Sequence, residues 1–301
     1  MKISDGILSL NLPDKLSNFT FFTKEPYAIF YQNNFISEDV YKKFADDVEI
    51  FINNNNLQKA HTNSKKKIKI DGKQNISNFK IEKSSLINNF LTTLYSKKFY
   101  NWFKKTHLIF YGEGIFGSVL PRNKFQDSLY KAINFFGKKI FRKKIFSIHS
   151  LSVEFSDIEK GALINPHTDS FKKRMALVFY VPPPSIIIDE FKENNWGTVF
   201  WKVKNPRQKK NTWQTTHQNK DNINEFLESY EVAVKVPYKA NSINGFIKND
   251  NSWHSVDQNK LSQPRRAIVI NIFEYSSTLD DIPNMNVLQK HVYNNFKSEQ
   301  L

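Results

Sequence analysis

The apolar periodicity of this 301-residue chain changes once, near residue 145, and that change decides what the chain can fold into. Before it, apolar residues recur at helical spacing. In SEDVYKKFADDVEIFINNN (37–55), Val40, Phe44, Val48 and Phe51 form one stripe, Ser37 can cap, and Glu38 and Asp39 fill the first turn. A second helix is predicted over 84–105, carrying Leu86, Phe90, Leu94, Phe99 and Trp102. A third is predicted over 124–141, with Leu129, Ile133, Phe136 and Ile140 inside and Lys131, Lys138 and Lys139 outside. The polar stretch between the first two, 56–80, reads as a hairpin or loose loop. After residue 145 the period becomes two. SLSVEF (150–155), MALVFYV (175–181), TVFWKV (198–203), EVAVKV (231–236), SINGFI (242–247) and AIVINIF (267–273) alternate as half-buried strands do. Helices first and short strands later make the class α+β with a mainly β core, a sandwich or barrel buttressed by N-terminal helices. Trp196, Phe200 and Trp201 are expected in its core. The polar stretch 204–229, with Trp213 and His217, reads as an insertion at the rim.

Several function classes drop out on composition. Cysteine is absent, so disulfides and thiolate metal sites are excluded, and any metal needs His, carboxylate or water. No apolar run approaches the ~20 residues of a membrane-spanning helix. The start, MKISDGILSLNLPDK, is broken by Asp5 and Asn11 and does not read as a signal peptide, so a cytoplasmic location is expected. The net charge of +15 would suit a polyanion. Lys far outnumbers Arg, however, and phosphate readers favour the bidentate Arg fork, so nucleic acid is not the expected partner.

Chemistry concentrates in INPHTDSFKKR (164–174), where His167 and Asp169 stand two apart just before an apolar strand. Residues two apart on an extended strand share a face, so the pair can offer one nitrogen and one oxygen to a single ion. A third ligand must come from another strand. Of the other six histidines, only His254, in NDNSWHSV, directly precedes a late strand-rich segment. Two His and one carboxylate on one face of an octahedral ion leave three positions open, the arrangement of non-haem Fe(II) oxygen chemistry. Eleven residues on, Arg265 opens an apolar strand, and a barrel-interior Arg beside a metal suits the far carboxylate of a keto-acid. Strand alternation puts Arg265 with Ala267, Val269 and Asn271 on a pocket face. It puts Arg266 with Ile268, Ile270 and Ile272 on a dry face against the helices, at its solvent end.

The stretches NPHTDSFKKRMALVFYV, WGTVFW, WHSV and RRAIVINIF, in that order, resemble the Fe(II)/2-oxoglutarate-dependent dioxygenases, specifically their prolyl-hydroxylase-like branch. EPYAIFYQNNFISEDVYKKF (25–44) is similar to that branch's lead-in strand and helix. The resemblance implies a double-stranded β-helix, a jelly-roll or cupin-like barrel. It implies His167, Asp169 and His254 as iron ligands, Arg265 on the C5 carboxylate of 2-oxoglutarate, and Tyr180 as a hydroxyl for the same carboxylate. Many relatives carry a serine two residues after the arginine; here the position is Ala267. It further implies a single dioxygenase domain: a helical support region 1–144, a core 145–275 with the insertion 204–229, and a tail 276–301. The expected reaction consumes O2 and 2-oxoglutarate, with ascorbate as a possible reductant, and hydroxylates a C–H bond of a peptidyl or small-molecule substrate, releasing succinate and CO2. Two alternatives stand beside it, a nucleic-acid demethylating dioxygenase and a non-catalytic jelly-roll binding protein. The first usually has a second Arg about six residues after the first, where this chain has Asn271.

Overall fold

Alternating residues in the late strands make one face of a long antiparallel sheet dry and the other the wall of a cavity, and the rest of the fold follows from that division. The computed structural model describes residues 2–4, 8–55, 57–59, 65–111, 116, 118–121, 124–141, 145–170, 172–184, 196–205, 220–249 and 251–275. Positions 213 and 217 of the insertion and the tail from 276 lie outside the described residues, as does the side chain of Trp196. In chain order the elements are β1 (Lys2–Ser4), β2 (Ser9–Asn11), β3 (Phe21–Thr23), β4 (Ile29–Gln32), α1 (Glu38–Asn55), β5 (Gln58–Lys59), β6 (Lys65–Asp71), α2 (Leu86–Leu94), α3 (Lys97–Tyr111), β7 (Ser118–Val119) and α4 (Lys124–Phe141). Then follow β8 (Ser147–Ile158), β9 (Ile164–His167), β10 (Lys173–Tyr180), β11 (Trp196–Val203), α5 (Lys220–Ser229), β12 (Tyr230–Pro237), β13 (Ser242–Ile247), β14 (His254–Val256) and β15 (Arg265–Tyr275).

Among the described residues, a nine-stranded sheet has the order β3-β4-β13-β10-β15-β8-β6-β5, with β7 alongside β8. A four-stranded sheet has the order β12-β11-β14-β9. From β8 onward the chain moves between the two sheets at almost every step, and only β11 and β12 follow one another within a sheet. The large sheet is antiparallel at its centre, with β15 between β10 and β8. On its outer face Ile268, Ile270, Ile272, Val153 and Phe155 join one core with Phe44, Val48 and Phe51 of α1 and Phe90 of α2. Each such side chain, fully buried, contributes roughly 1.5–3 kcal/mol. On its inner face Ala176, Tyr180, Phe246 and Ala267 share a second core with Phe200 of the small sheet.

Three local expectations are corrected, and one of two alternatives is decided. The helix predicted over 84–105 is two helices. Tyr95 leaves the helical region, and the Ser96 hydroxyl accepts from the Phe99 backbone N–H, so an internal serine caps a new helix where apolar spacing alone reads straight through. For 56–80 the hairpin alternative holds, β5 pairing antiparallel with β6, and β6 in addition extends the large sheet along β8, burying Ile68 and Ile70. Lys-Ile alternation at 67–70 was the signal. Arg266 is buried rather than near solvent, because acidic partners wait for it at Asp157 and Glu49. The third correction concerns α4: Leu129, Phe136 and Ile140 are exposed, and the inward side carries Asn134 and Gly137. Of the aromatics expected in the core, Phe200 is fully buried, while Trp201 is partly exposed and donates its indole N–H to the Ser255 hydroxyl at 2.9 Å. Within the 204–229 insertion, α5 packs Phe226 on Tyr230 and Trp253.

Candidate metal centre

Strands β9 and β14 are antiparallel neighbours in the small sheet, and their register puts His167 directly opposite His254. Cross-strand partners share a face, so the two rings meet with centroids 4.3 Å apart. Asp169 arrives differently from the expectation. β9 ends at His167, so the turn before β10, and not strand alternation, returns its carboxylate to the pair. One ligand atom from each of the three residues then lies within 4.8 Å of the others, and His254 Nε2 is 3.8 Å from Asp169 Oδ2.

The backbone fixes which ring nitrogens are available. His167 Nδ1 donates to the Asn165 carbonyl at 2.9 Å, and His254 Nδ1 donates to the Ser252 carbonyl at 3.0 Å. A carbonyl oxygen only accepts, so the hydrogen of each neutral imidazole sits on Nδ1 and the lone pair on Nε2. Burial, reinforced by the neighbouring His254, pushes His167 down to about 3. Burial also lowers His254. For Asp169 burial works the other way, but Lys173 and the two imidazoles outweigh it and hold the carboxyl below its usual range. Lys173 Nζ donates to Asp169 Oδ1 at 2.7 Å, whereas Oδ2 is buried with no hydrogen-bond partner among the described residues. Two neutral imidazoles and an ionised carboxylate with an orphaned oxygen are the donor set a divalent cation takes. The residues therefore fit a metal of the Fe(II) class.

The same cavity, about 260 Å³, continues away from the triad between the two sheets. Arg265, Ala267, Val269 and Asn271 line it from β15, with Ala176, Val178 and Tyr180 from β10. Arg265 is 2% exposed. Its Nη1 donates to the Asp257 carbonyl at 2.7 Å, and its guanidinium lies 5.5 Å from the Tyr238 ring centroid. Nε and Nη2 have no partner among the described residues, and burial lowers the pKa of the group. A buried cation with two unused donors is costly unless an anion meets it. Tyr180 Oη is 2.9 Å from Thr198 Oγ1, and burial raises its pKa, with Arg265 among the influences that pull it back. Gly197 makes that position possible: a Cβ there would stand 2.1 Å from Tyr180 Oη.

Arg266 occupies the opposite face. Its Nε and Nη2 donate to the two Asp157 carboxylate oxygens, each at 2.9 Å, and its Nη1 meets Glu49 of α1. Burial lowers its pKa, and these two carboxylates more than offset that. The cavity also contains residues that motif reading passed over. Lys173 pairs with Asp169 and Thr198 holds Tyr180; Asn271, which strand alternation does place on this face, has its Oδ1 buried without a partner among the described residues. Lys65 and Lys67 on β6 bond to Glu154 on β8 at one wall. The first three stand at most four positions from a named residue or share its strand face. The Lys–Glu group needs β6 to be a strand of the sheet.

No family model matches the sequence, and no curated protein matches it. Solved structures do. A Trichoplax adhaerens prolyl hydroxylase, solved with a hypoxia inducible factor oxygen degradation domain peptide, covers 82% of this chain and 83% of its own, at 11% identity and a TM-score of 0.43. A prolyl 4-hydroxylase from Phytophthora capsici covers 89% and 66%, at 10% identity and 0.47. A 2OG-Fe(II) oxygenase family oxidoreductase from Burkholderia pseudomallei covers 81% and 84%, at 8% identity and 0.39. The chain is similar in structure to prolyl hydroxylases. With TM-scores below 0.5, these likenesses carry nothing about activity, which has to be read from the side chains of the site.

Proposed function

We propose that this chain is an Fe(II)- and 2-oxoglutarate-dependent oxygenase that hydroxylates a C–H bond of a small-molecule or peptidyl substrate. One observation carries the reading: a two-histidine, one-carboxylate donor set shares a buried cavity with an arginine whose Nε and Nη2 are unused. The strand order, alternating between two facing sheets from β8 on, supports a double-stranded β-helix built as a single domain. Bound there, Fe(II) supplies the activation of O2 that couples oxidation of 2-oxoglutarate to succinate and CO2 with insertion of the second oxygen atom into the substrate C–H bond.

The protein's part is positional. His167 and His254 offer Nε2 because Asn165 and Ser252 hold the Nδ1 hydrogens. Asp169 brings the one negative charge and the orphaned Oδ2. Arg265 takes the C5 carboxylate of 2-oxoglutarate through Nε and Nη2, and Tyr180, held by Thr198, presents its hydroxyl to the same group. Ala267 leaves room where relatives place a serine, and the apolar walls at Val178, Val256 and Val269 exclude water. The test is succinate formation from 2-oxoglutarate with Fe(II) and ascorbate under air, against a panel of amino acids and peptides. Absence of both coupled and uncoupled 2-oxoglutarate turnover in Fe(II)-loaded protein refutes the reading.

A further inference from the structure

Helix α4 is inside out for a surface helix. Its apolar stripe faces solvent, with Phe125 75%, Phe136 61% and Ile140 70% exposed and Leu129 and Phe135 beside them. Its inward side carries Asn134 and Gly137, with Tyr130 edge-on against Phe146. Asn134 is buried, donating to the Phe146 carbonyl at 2.8 Å and accepting from the Ile145 and Phe146 backbone N–H groups. Next to it Gly137 lies so close to Ile145 that a Cβ would stand 2.0 Å from Ile145 Cγ1. Three hydrogen bonds and a close approach therefore fix which side points inward. An ordinary amphipathic helix would bury the other one. A contiguous row of large exposed apolar side chains over four turns marks a surface that something covers.

Charge says what covers it. Between 122 and 144 the chain has eight basic residues and one acidic residue, Asp127. That acid is already paired with Lys131 at 2.6 Å. In the sequence Lys124, Lys131 and Lys138 recur every seven residues, a helical period that keeps them on one side of the apolar row, and Lys131 is half-exposed there. Lys139 rises within the row itself, its Nζ 4.5 Å from the Phe135 ring centroid. A second copy of the chain would press two strongly basic segments together. A phenylalanine-rich row bordered by lysines whose long stems let the ammonium reach outward is the design of a helix lying in the headgroup layer of an acidic bilayer. Among the described residues no helix is long and apolar enough to cross a membrane, so the helix lies on the surface rather than spanning it.

We propose that the outer face of α4 docks this protein on an anionic lipid bilayer, Phe125, Leu129, Phe136 and Ile140 entering the acyl boundary and the lysine border meeting the headgroups. Docking is separable from the metal cavity. α4 bonds to 145–146, just before β8, whereas the cavity takes Glu154, Ser156 and Ile158 from the far end of that strand.

The experiment is flotation of the full chain with phosphatidylcholine vesicles, with and without phosphatidylserine, at low and high salt. Binding should rise on the order of tenfold or more with phosphatidylserine and fall again with salt. Phe125→Ser/Phe136→Ser should lose binding by a similar factor to both vesicle types. Lys124→Glu/Lys138→Glu/Lys139→Glu should lose only the phosphatidylserine preference. The Phe variant alters exposed side chains and the lysine variant leaves the apolar row intact, so both should melt where the parent does, and the lysine variant reads lipid charge even if the Phe variant melts early. Failure of the parent chain to float with phosphatidylserine vesicles overturns the proposal. So does equal binding by the lysine variant. So does a concentration-dependent oligomer, dissolved by the Phe substitutions, in a chain that ignores vesicles, and so does salt-sensitive binding to an acidic protein with none to lipid.

Discussion

Arg265 and Arg266 are adjacent in sequence and have identical side chains, yet exchanging each for lysine should have opposite consequences. Arg265 has one donor on the Asp257 carbonyl and leaves Nε and Nη2 for a ligand. Complete loss of a buried, charge-assisted bidentate pair costs about 3–5 kcal/mol, or roughly two to three and a half decades in affinity. Lysine keeps the charge but not the fork, so Arg265→Lys should fall near the low end and raise the 2-oxoglutarate KM about a hundredfold. Its melting temperature should hold or rise, since a costly unpaired group leaves the interior of the ligand-free protein. Arg266 already has all three guanidinium nitrogens on carboxylates. It ties Asp157 of β8 to Glu49 of α1, and Arg266→Lys should lower stability by roughly 2–4 kcal/mol while changing the KM less than about threefold. Succinate release against 2-oxoglutarate concentration reads the first effect, and thermal unfolding the second. If Arg266→Lys alone raises the KM, β15 is out of register by one residue and the pocket face must be reassigned.

Three further perturbations probe the site. His254→Ala and Asp169→Ala should each abolish the visible charge-transfer band of the anaerobic Fe(II)–2-oxoglutarate complex; a normal band in either removes that residue from the ligand set. Lys173→Met should strip Asp169 of its partner in the metal-free protein, a loss of about 3 kcal/mol, which Fe(II) then restores. The rise in melting temperature on adding Fe(II) should accordingly be larger in the variant than in the parent, and an equal rise refutes the competition between Lys173 and the metal. Gly197→Ala puts a methyl 2.1 Å from Tyr180 Oη, so it should displace the ring and raise the 2-oxoglutarate KM with the charge-transfer band still present; an unchanged KM means Tyr180 does not touch the co-substrate.

What the sequence discloses here is pattern within a segment, and what it hides is which neighbour a segment meets. The strands of the β core were legible because alternation with period two is local, and the face shared by Arg265, Ala267, Val269 and Asn271 followed from counting alone. His254 was located by exclusion, but its position opposite His167 depends on the β9–β14 register, which no local pattern encodes. Strand alternation does not place Asp169, which lies beyond the end of β9; the turn that follows serves the same end. Lys65 and Glu154 stand 89 residues apart and meet only because β6 adds to the edge of β8. Helix α4 shows the limit most sharply. Its 3.6-residue period defines an apolar stripe correctly and says nothing about which side of the helix is down. The ordinary assumption that apolar means inward is a statement about free energy in water, and it was overridden by three hydrogen bonds to Asn134 and the close seat at Gly137. When a stripe that should be buried is held outward by specific polar bonds, its hydrophobic partner is not among the described residues, and the lysines of the same helix specify the charge that partner must carry.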